Sequence, residues 1–344
     1  MGFELTLEEI ARITGGSLHG NRSRLIRTLA IDSRTLVPSM HTLFIALRGE
    51  RHDGHDYIGE LYERGIVAFL VSGSVNTPSY PDAGFCLVDD TLTALQAIAA
   101  ERRNRFGGVV AAITGSNGKT IVKEWIYQCL RDRYRVFRSP KSYNSQVGVP
   151  LSVWMMGEED TLSVIEAGIS EPGEMERLRA IIQPQVGLLT NLGTAHQENF
   201  HSLEQKLEEK LKLFEGCERI ICRIDGDPAG ISPFTALKDP AADIRGWSLG
   251  GEALYTYTIR EQGEGRTSLH GRAPAGEFLF DLPFTDDASL ENALHVLTFC
   301  LEMGLEPGRA SEAVAGVEPV SMRLEMLQGV MGSTLINDAY NADI

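Results

Sequence analysis

Val109-Val110-Ala111-Ala112-Ile113-Thr114-Gly115-Ser116-Asn117-Gly118-Lys119-Thr120 is the stretch that decides how the chain is read. Val109 to Thr114 has the length and apolar character of a buried strand, and a helical pattern runs on to Arg133. The glycine-rich turn between them sits where a strand hands over to a helix N-terminus, the context a phosphate loop requires. Glycines let backbone amides curl around phosphate oxygens, and the helix end adds partial positive charge. Lys119 offers a point charge and the Thr120 hydroxyl suits magnesium. Gly115, Ser116, Asn117, Gly118, Lys119 and Thr120 are therefore candidate ATP-binding residues. Ile113 stands where the general Gly-x4-Gly-Lys-[Ser/Thr] loop has its first glycine, so on the motif alone a plain helix-opening turn stays open as the alternative.

Downstream, strands at Leu162 to Glu166, Val186 to Thr190 and Arg219 to Ile224 alternate with helices at Pro172 to Ile182 and Leu203 to Phe214. That alternation predicts a parallel sheet covered on both faces. After Asp243, alternating residues at Tyr255 to Ile259 and Glu277 to Leu282 predict antiparallel strands added to the sheet. Helices are expected at Ser289 to Met303 and Pro307 to Val317. Upstream, a helix at Thr91 to Phe106 ends at Gly107-Gly108. Before it, strand-like runs at Thr42 to Leu47, Val67 to Val71 and Phe85 to Val88 lie between loops rich in Gly, Pro, Ser and Asp, behind a short amphipathic helix expected at Met1 to Gly16 with Leu5, Leu7, Ile10 and Ile13 on one side. The fold class is thus α/β: an N-terminal α/β domain over 1–106, a central phosphate-loop domain over 107–318, and over 319–344 a linker and one strand, Thr334 to Ile336.

The 344 residues suggest two or three domains. With 43% hydrophobic and 23% charged residues the composition is that of a globular protein. No apolar run approaches the roughly 18 residues of a membrane span, and the N-terminus lacks the features of a signal peptide. A formal net charge of -15 has the wrong sign for a nucleic-acid partner, so any polyanionic ligand must be met by local devices. Five scattered cysteines without a Cys-x-x-Cys pair fit a reducing cytoplasm.

Glu166 falls at the carboxyl end of a predicted parallel strand, where ligand sites of open α/β sheets gather. It suits magnesium facing the loop; a surface or helix-capping carboxylate is the alternative. His196 follows the strand ending at Thr190 at the same edge, with an ordinary loop histidine as its alternative. Lys206 and Lys210 share a helix face near Glu208 and Glu209, and periodicity alone favours a solvated, salt-bridged face there. His52-Asp53-Gly54-His55-Asp56 has the look of a metal cluster and reads as easily as a structured ligand-binding loop, so no metal is assigned to it.

Together and in order, these residues resemble the Mur ligase family, which activates a carboxylate with ATP and couples it to an amine. Asp32-Ser33-Arg34, Thr42 to Gly49 and Asp53-Gly54-His55 look like the UDP-sugar-binding first domain of the members that add the third amino acid and the terminal dipeptide. The resemblance implies that Ser33, Arg34, Asp53, Gly54, His55 and Asn144, the last with Gly148-Val149-Pro150, serve the substrate. It also implies Gly115 to Thr120 for ATP phosphates, Asn292 for adenine, and Thr120, Glu166 and His196 for magnesium. Ser289 departs from the family's asparagine one turn before Asn292. Lys210 matches the lysine that the family carbamylates into a metal-binding anion, with Lys206 and Lys212 as structural alternatives.

Arg323 resembles an arginine that approaches the phosphates, and Asp338 a nucleotide-contacting aspartate that opens a third domain. Thr190 to Phe200 is closer to the dipeptide-adding member. The resemblance therefore implies a cytoplasmic monomer acting on UDP-N-acetylmuramoyl-tripeptide and D-alanyl-D-alanine, with ATP, two magnesium ions and an acyl-phosphate intermediate. Only the first strand of the family's third domain follows, so this chain alone is expected to bind without turning over.

Overall fold

The computed structural model describes residues 3–49, 51–192, 199–225 and 242–320, and the backbone of 325–328 and 334–337. Its contacts divide the chain into two units. One comprises Met1–Gly107, Ser145–Glu159 and Ala180–Ile182; the other comprises Gly108–Asn144, Asp160–Arg179 and Gln183–Ile344.

In the first unit four parallel strands, Thr28–Ala30, Thr42–Ile45, Ala68–Ser72 and Gly84–Val88, lie side by side in chain order. Ser17–Gly20 closes the far edge, antiparallel to the last of them. Side chains alternate across a strand, so the sheet has two apolar faces. Leu43, Ile45, Leu70 and Cys86 pack with residues of the helices Leu7–Thr14, Thr91–Asn104 and Gly148–Trp154. Phe44, Phe69 and Phe85 pack on the other face with Ile58 and Leu61 of Ile58–Glu63.

The first helix starts at Leu7 rather than at Met1. Thr6 caps it through a reciprocal box with Glu9, and Leu5–Thr6 pairs as a short strand with Leu25–Ile26. Gly148–Trp154 forms a helix that the sequence pattern did not announce; its Pro150 is tolerated because it falls in the first turn.

The second unit is built on a nine-stranded sheet in the order Gly276–Leu282, Arg266–Ala273, Tyr255–Gly263, Asp243–Leu249, Arg219–Arg223, Val186–Leu189, Val109–Thr114, Leu162–Glu166, Val136–Arg138. Tyr255–Gly263 runs parallel to Asp243–Leu249 and antiparallel only to Arg266–Ala273, so the antiparallel extension begins one strand later than expected. The sequence alternation there reports a strand with one face in water, which says nothing of direction.

The chain leaves Val109–Thr114 towards one edge, returns beside it as Leu162–Glu166, and then crosses to its other flank as Val186–Leu189. Strand order thus reverses around the phosphate-loop strand, and such a reversal opens a crevice at the carboxyl ends of the strands. The helices Lys119–Leu130, Asp287–Glu302 and Pro307–Ala315 share one apolar core with the sheet.

Beyond them, the expected linker begins anchored: the Glu318 carbonyl accepts from Trp125 Nε1 at 3.0 Å, and its amide donates to Gln128 Oε1 at 2.7 Å. Thr334–Asn337 pairs antiparallel with Glu325–Gln328, a strand the sequence pattern did not announce.

Gly187 lies so close to the Phe214 ring that a Cβ would come within 2.4 Å of it. Gly187→Ala is expected to destabilise this unit by about 1–3 kcal/mol, read as a lower denaturant midpoint. Gly107→Ala, with nothing within 4 Å of the added carbon, is expected to stay within about 0.5 kcal/mol. Equal shifts in the two variants would refute the packing argument.

Candidate active site

The loop after Val109–Thr114 is fixed by backbone conformation and by packing at once. Gly115 has φ +147° and Gly118 φ +79°, values that disfavour a side chain. A Cβ on Gly115 would fall 1.9 Å from Thr190 Oγ1, and one on Gly118 would fall 2.2 Å from Asn292 Oδ1. Thr190 Oγ1 donates to the Asn117 carbonyl at 2.6 Å, and Asn191 accepts the Ser116 and Asn117 amides at 2.8 and 3.0 Å. Thr190 and Asn191, at the end of the neighbouring strand, thus hold the loop open from its flank. The helix Lys119–Leu130 begins without a side-chain cap or an acidic residue in its first turn. Its positive end is therefore left for an anion. Lys119 Nζ donates to the carbonyls of Gly115 and Ser116 at 2.9 and 2.8 Å, which folds the ammonium over the loop.

Glu166 is 1% exposed. It is neither a surface carboxylate nor a helix cap. Its Oε2 accepts from Thr120 Oγ1 at 2.9 Å, and its Oε1 accepts from Asn144 Nδ2 at 2.8 Å. Lys123 Nζ stands 3.7 Å away. The following helix, Glu174–Ile182, is served instead by Glu209, whose Oε1 accepts from the Gly173 and Met175 amides at 2.7 and 3.3 Å. A threonine hydroxyl and a carboxylate in direct contact beside a phosphate loop are hard oxygen donors, the set magnesium takes together with nucleotide phosphates. The residues present fit that ion.

The helix Leu203–Leu211 carries Lys206 and Lys210, at 2% and 3% exposure, so the face that periodicity assigned to solvent is buried. Lys210 Nζ donates to the Gly115 carbonyl at 3.0 Å. Burial holds its ammonium well below the ordinary lysine range, and the charges of Lys119 and Lys206 push it further down. Lys212 is the surface member, paired with Glu209 at 2.7 Å.

On Asp287–Glu302, Asn292 is buried with its amide against Gly118. Sequence reasoning missed His295 one turn on. Trp247 Nε1 can only donate, and it does so to His295 Nδ1 at 3.0 Å. The ring proton therefore sits on Nε2, which donates to the Thr190 carbonyl at 2.7 Å. The relay ties the helix of Asn292 to the strand end that props the loop.

The remaining substrate candidates lie in the first unit, at the carboxyl edge of its parallel strands. Arg34 donates to both oxygens of Asp32 at 2.8–2.9 Å, and its guanidinium and amide hold that carboxyl down at about 2. The Ser33 carbonyl accepts from Arg64 at 2.8 Å. His55 is bonded on both sides: Nδ1 donates to Asp53, and Nε2 accepts the Ser72 amide at 2.9 Å. Gly54 is forced by proximity, since a Cβ would meet Ala46 Cα at 2.8 Å. Asp53 is thus an oriented carboxylate, further held by Arg48 at 3.1 Å. Gly148 to Pro150 open a helix of this unit, whereas Asn144 belongs with Glu166. His196, Arg323 and Asp338 lie outside the described residues.

Residues 25–103 match the family model "Mur ligase family, catalytic domain", and residues 113–300 match "Mur ligase middle domain". The chain is similar to the UDP-N-acetylmuramoyl-tripeptide–D-alanyl-D-alanine ligase of Bacillus subtilis (strain 168), with 32% identity over 98% of this chain and 72% of that one. The enzyme of the same name from Escherichia coli (strain K12) is 28% identical over 99% and 74%. In fold the chain resembles a MurF from Acinetobacter baumannii, with a TM-score of 0.89 at 24% identity over 99% of this chain and 74% of the other. It also resembles a MurF from Thermotoga maritima solved in complex with ADP, with a TM-score of 0.77 at 24% identity over 92% and 71%. A middle-domain match that runs from the phosphate-loop strand into the helix of Asn292, beside a relative 32% identical over 98% of this chain, makes this chain a member of the Mur ligase family.

Proposed function

We propose that this protein is the ligase that joins D-alanyl-D-alanine to UDP-N-acetylmuramoyl-tripeptide at the expense of ATP, working in the cytoplasm as a monomer. The observation that carries the reading is the buried contact of Thr120 with Glu166 directly beside the phosphate loop. It supplies what an ATP-dependent carboxylate activation needs most, a place to neutralise charge. The choice among family members rests on the Bacillus subtilis relative. The first unit, with Ser33, Arg34 and the Asp53-Gly54-His55 turn, is assigned to the UDP-substrate.

The substrate carboxylate attacks the γ-phosphorus of ATP to give an acyl phosphate with ADP leaving, and the dipeptide amine then attacks the acyl carbon, forming the amide as inorganic phosphate and a proton depart. Two like unit charges about 4 Å apart repel by about 4 kcal/mol at an effective dielectric of 20, and the triphosphate carries several. Magnesium bound at Thr120 and Glu166 supplies the neutralisation when present. Asn144 and Thr120 hold the Glu166 oxygens in place for it, Lys119 and the helix N-terminus stabilise charge as the phosphoryl group moves, and Asn292 orients the base. A second ion is assigned to His196 and to Lys210 in carbamylated form. The buried, proton-poor amine of Lys210 supports that modification, because only a neutral amine attacks carbon dioxide.

Phosphate release, assayed with the protein at its relatives' full length, is expected to require both muramoyl tripeptide and D-alanyl-D-alanine. Lys119→Ala and Glu166→Ala are each expected to lower it about 100-fold or more. Dependence on a single free amino acid would reassign the substrate, and full activity of either variant would overturn the site.

Lys210→Ala is expected to lose activity and to recover part of it with short carboxylic acids that stand in for the carbamate. A variant equally inert with and without them argues against carbamylation.

The unmodified lysine also leaves a mark on stability. Its folded value lies below its unfolded value, so the unfolded chain binds more protons between the two. Stability should therefore rise with pH across that window, up to about 10.4, the ordinary lysine value. In the absence of carbon dioxide Lys210→Met is expected to flatten this rise, and identical slopes for the two proteins from about pH 7 upward would refute it.

A further inference from the structure

Lys123 has no part in the chemistry above, yet its side chain is fully buried, at 0% exposure. It stands one turn after Thr120 on the same helix face. A buried ammonium needs partners, and its nearest is a neutral one: Nζ donates to the main-chain carbonyl of Lys141. The two nearby carboxylates are farther off, Glu124 at 3.4 Å and Glu166 at 3.7 Å. Glu124 is already engaged by Arg138 at 2.6 Å.

The carbonyl that receives this ammonium belongs to a strained residue. Lys141 has φ +49°, a left-handed conformation that a lysine adopts at a cost and a glycine does not. The turn it governs, Ser139 to Asn144, reaches both proposed magnesium donors. Ser139 Oγ accepts the Glu166 amide at 3.2 Å, Ser142 Oγ lies 3.4 Å from Thr120 Oγ1, and Asn144 Nδ2 donates to Glu166 Oε1 at 2.8 Å.

We propose that Lys123 is a positioning residue, whose hydrogen bond to the Lys141 carbonyl holds the strained turn in the one conformation that brings Ser142 and Asn144 to Thr120 and Glu166. It acts through the turn and touches no substrate. The consequence for magnesium rests on the ligase reading, whereas the hold on the turn does not.

A double-mutant cycle with Lys141→Gly tests this. Glycine removes the left-handed strain, so the turn should need the lysine less. Lys123→Met is expected to raise amide exchange across residues 141–144 at least tenfold, and to raise the magnesium concentration needed for half-maximal phosphate release. In the Lys141→Gly background both losses should shrink threefold or more. If Lys123→Met costs as much in the glycine background as without it, the lysine acts by its charge on Glu166 and the positioning role is wrong. Exchange reports on the turn whether or not the protein ligates, so failure of the ligase reading stays distinguishable. Should Lys123→Met not fold, Lys123→Gln, which loses charge and reach but keeps a polar end, takes its place in the same cycle.

Discussion

One main-chain oxygen organises the centre of the second unit. The Gly115 carbonyl receives both Lys119 at 2.9 Å and Lys210 at 3.0 Å, the first from the loop's own helix and the second from a helix 95 residues further along the chain. Lys119, folded over the loop, answers the problem set by a net charge of -15. A chain so acidic attracts no polyanion by its overall field, so positive charge has to be gathered at one point and kept there. The carbonyl lets two lysine amino groups approach each other, and burial first, then the neighbouring lysine charges, lowers the proton affinity of Lys210.

The sheet makes this gathering possible. Because strand order reverses around Val109–Thr114, the segments that follow three adjacent strands end on the same crevice, and each contributes something different. The central strand gives the glycine turn, Leu162–Glu166 gives the carboxylate, and Val186–Leu189 gives the Thr190-Asn191 prop. The helix of Asn292 reaches the same place through His295 and Trp247. Charges of opposite sign can then be buried side by side, Glu166 among Thr120, Asn144 and Lys123, because each of its oxygens has a donor.

The phosphate loop and Glu166 were legible in the sequence, since parallel strands buried on both faces read as short apolar runs whose last residue marks the functional edge. Lys210 was legible only through family resemblance: a buried lysine and an exposed one have the same helical spacing, and the spacing favoured solvent. Lys123, Glu209 and His295 gave no signal, because the groups that define their roles lie 18, 36 and 105 residues away. The direction of Tyr255–Gly263 was likewise hidden, as alternation encodes exposure alone. The short helix at Gly148–Trp154 escaped because its glycine and proline are judged by composition, whereas the fold uses them by position within the first turn.

The contact between Gly118 and Asn292 carries a consequence for descent. The asparagine amide occupies the volume that any other residue at 118 would claim. Position 118 cannot change alone: a larger residue there demands a smaller one at 292, and the buried amide facing the loop would be lost in the exchange. The two sites, 174 positions apart, are therefore expected to change together when position 118 changes.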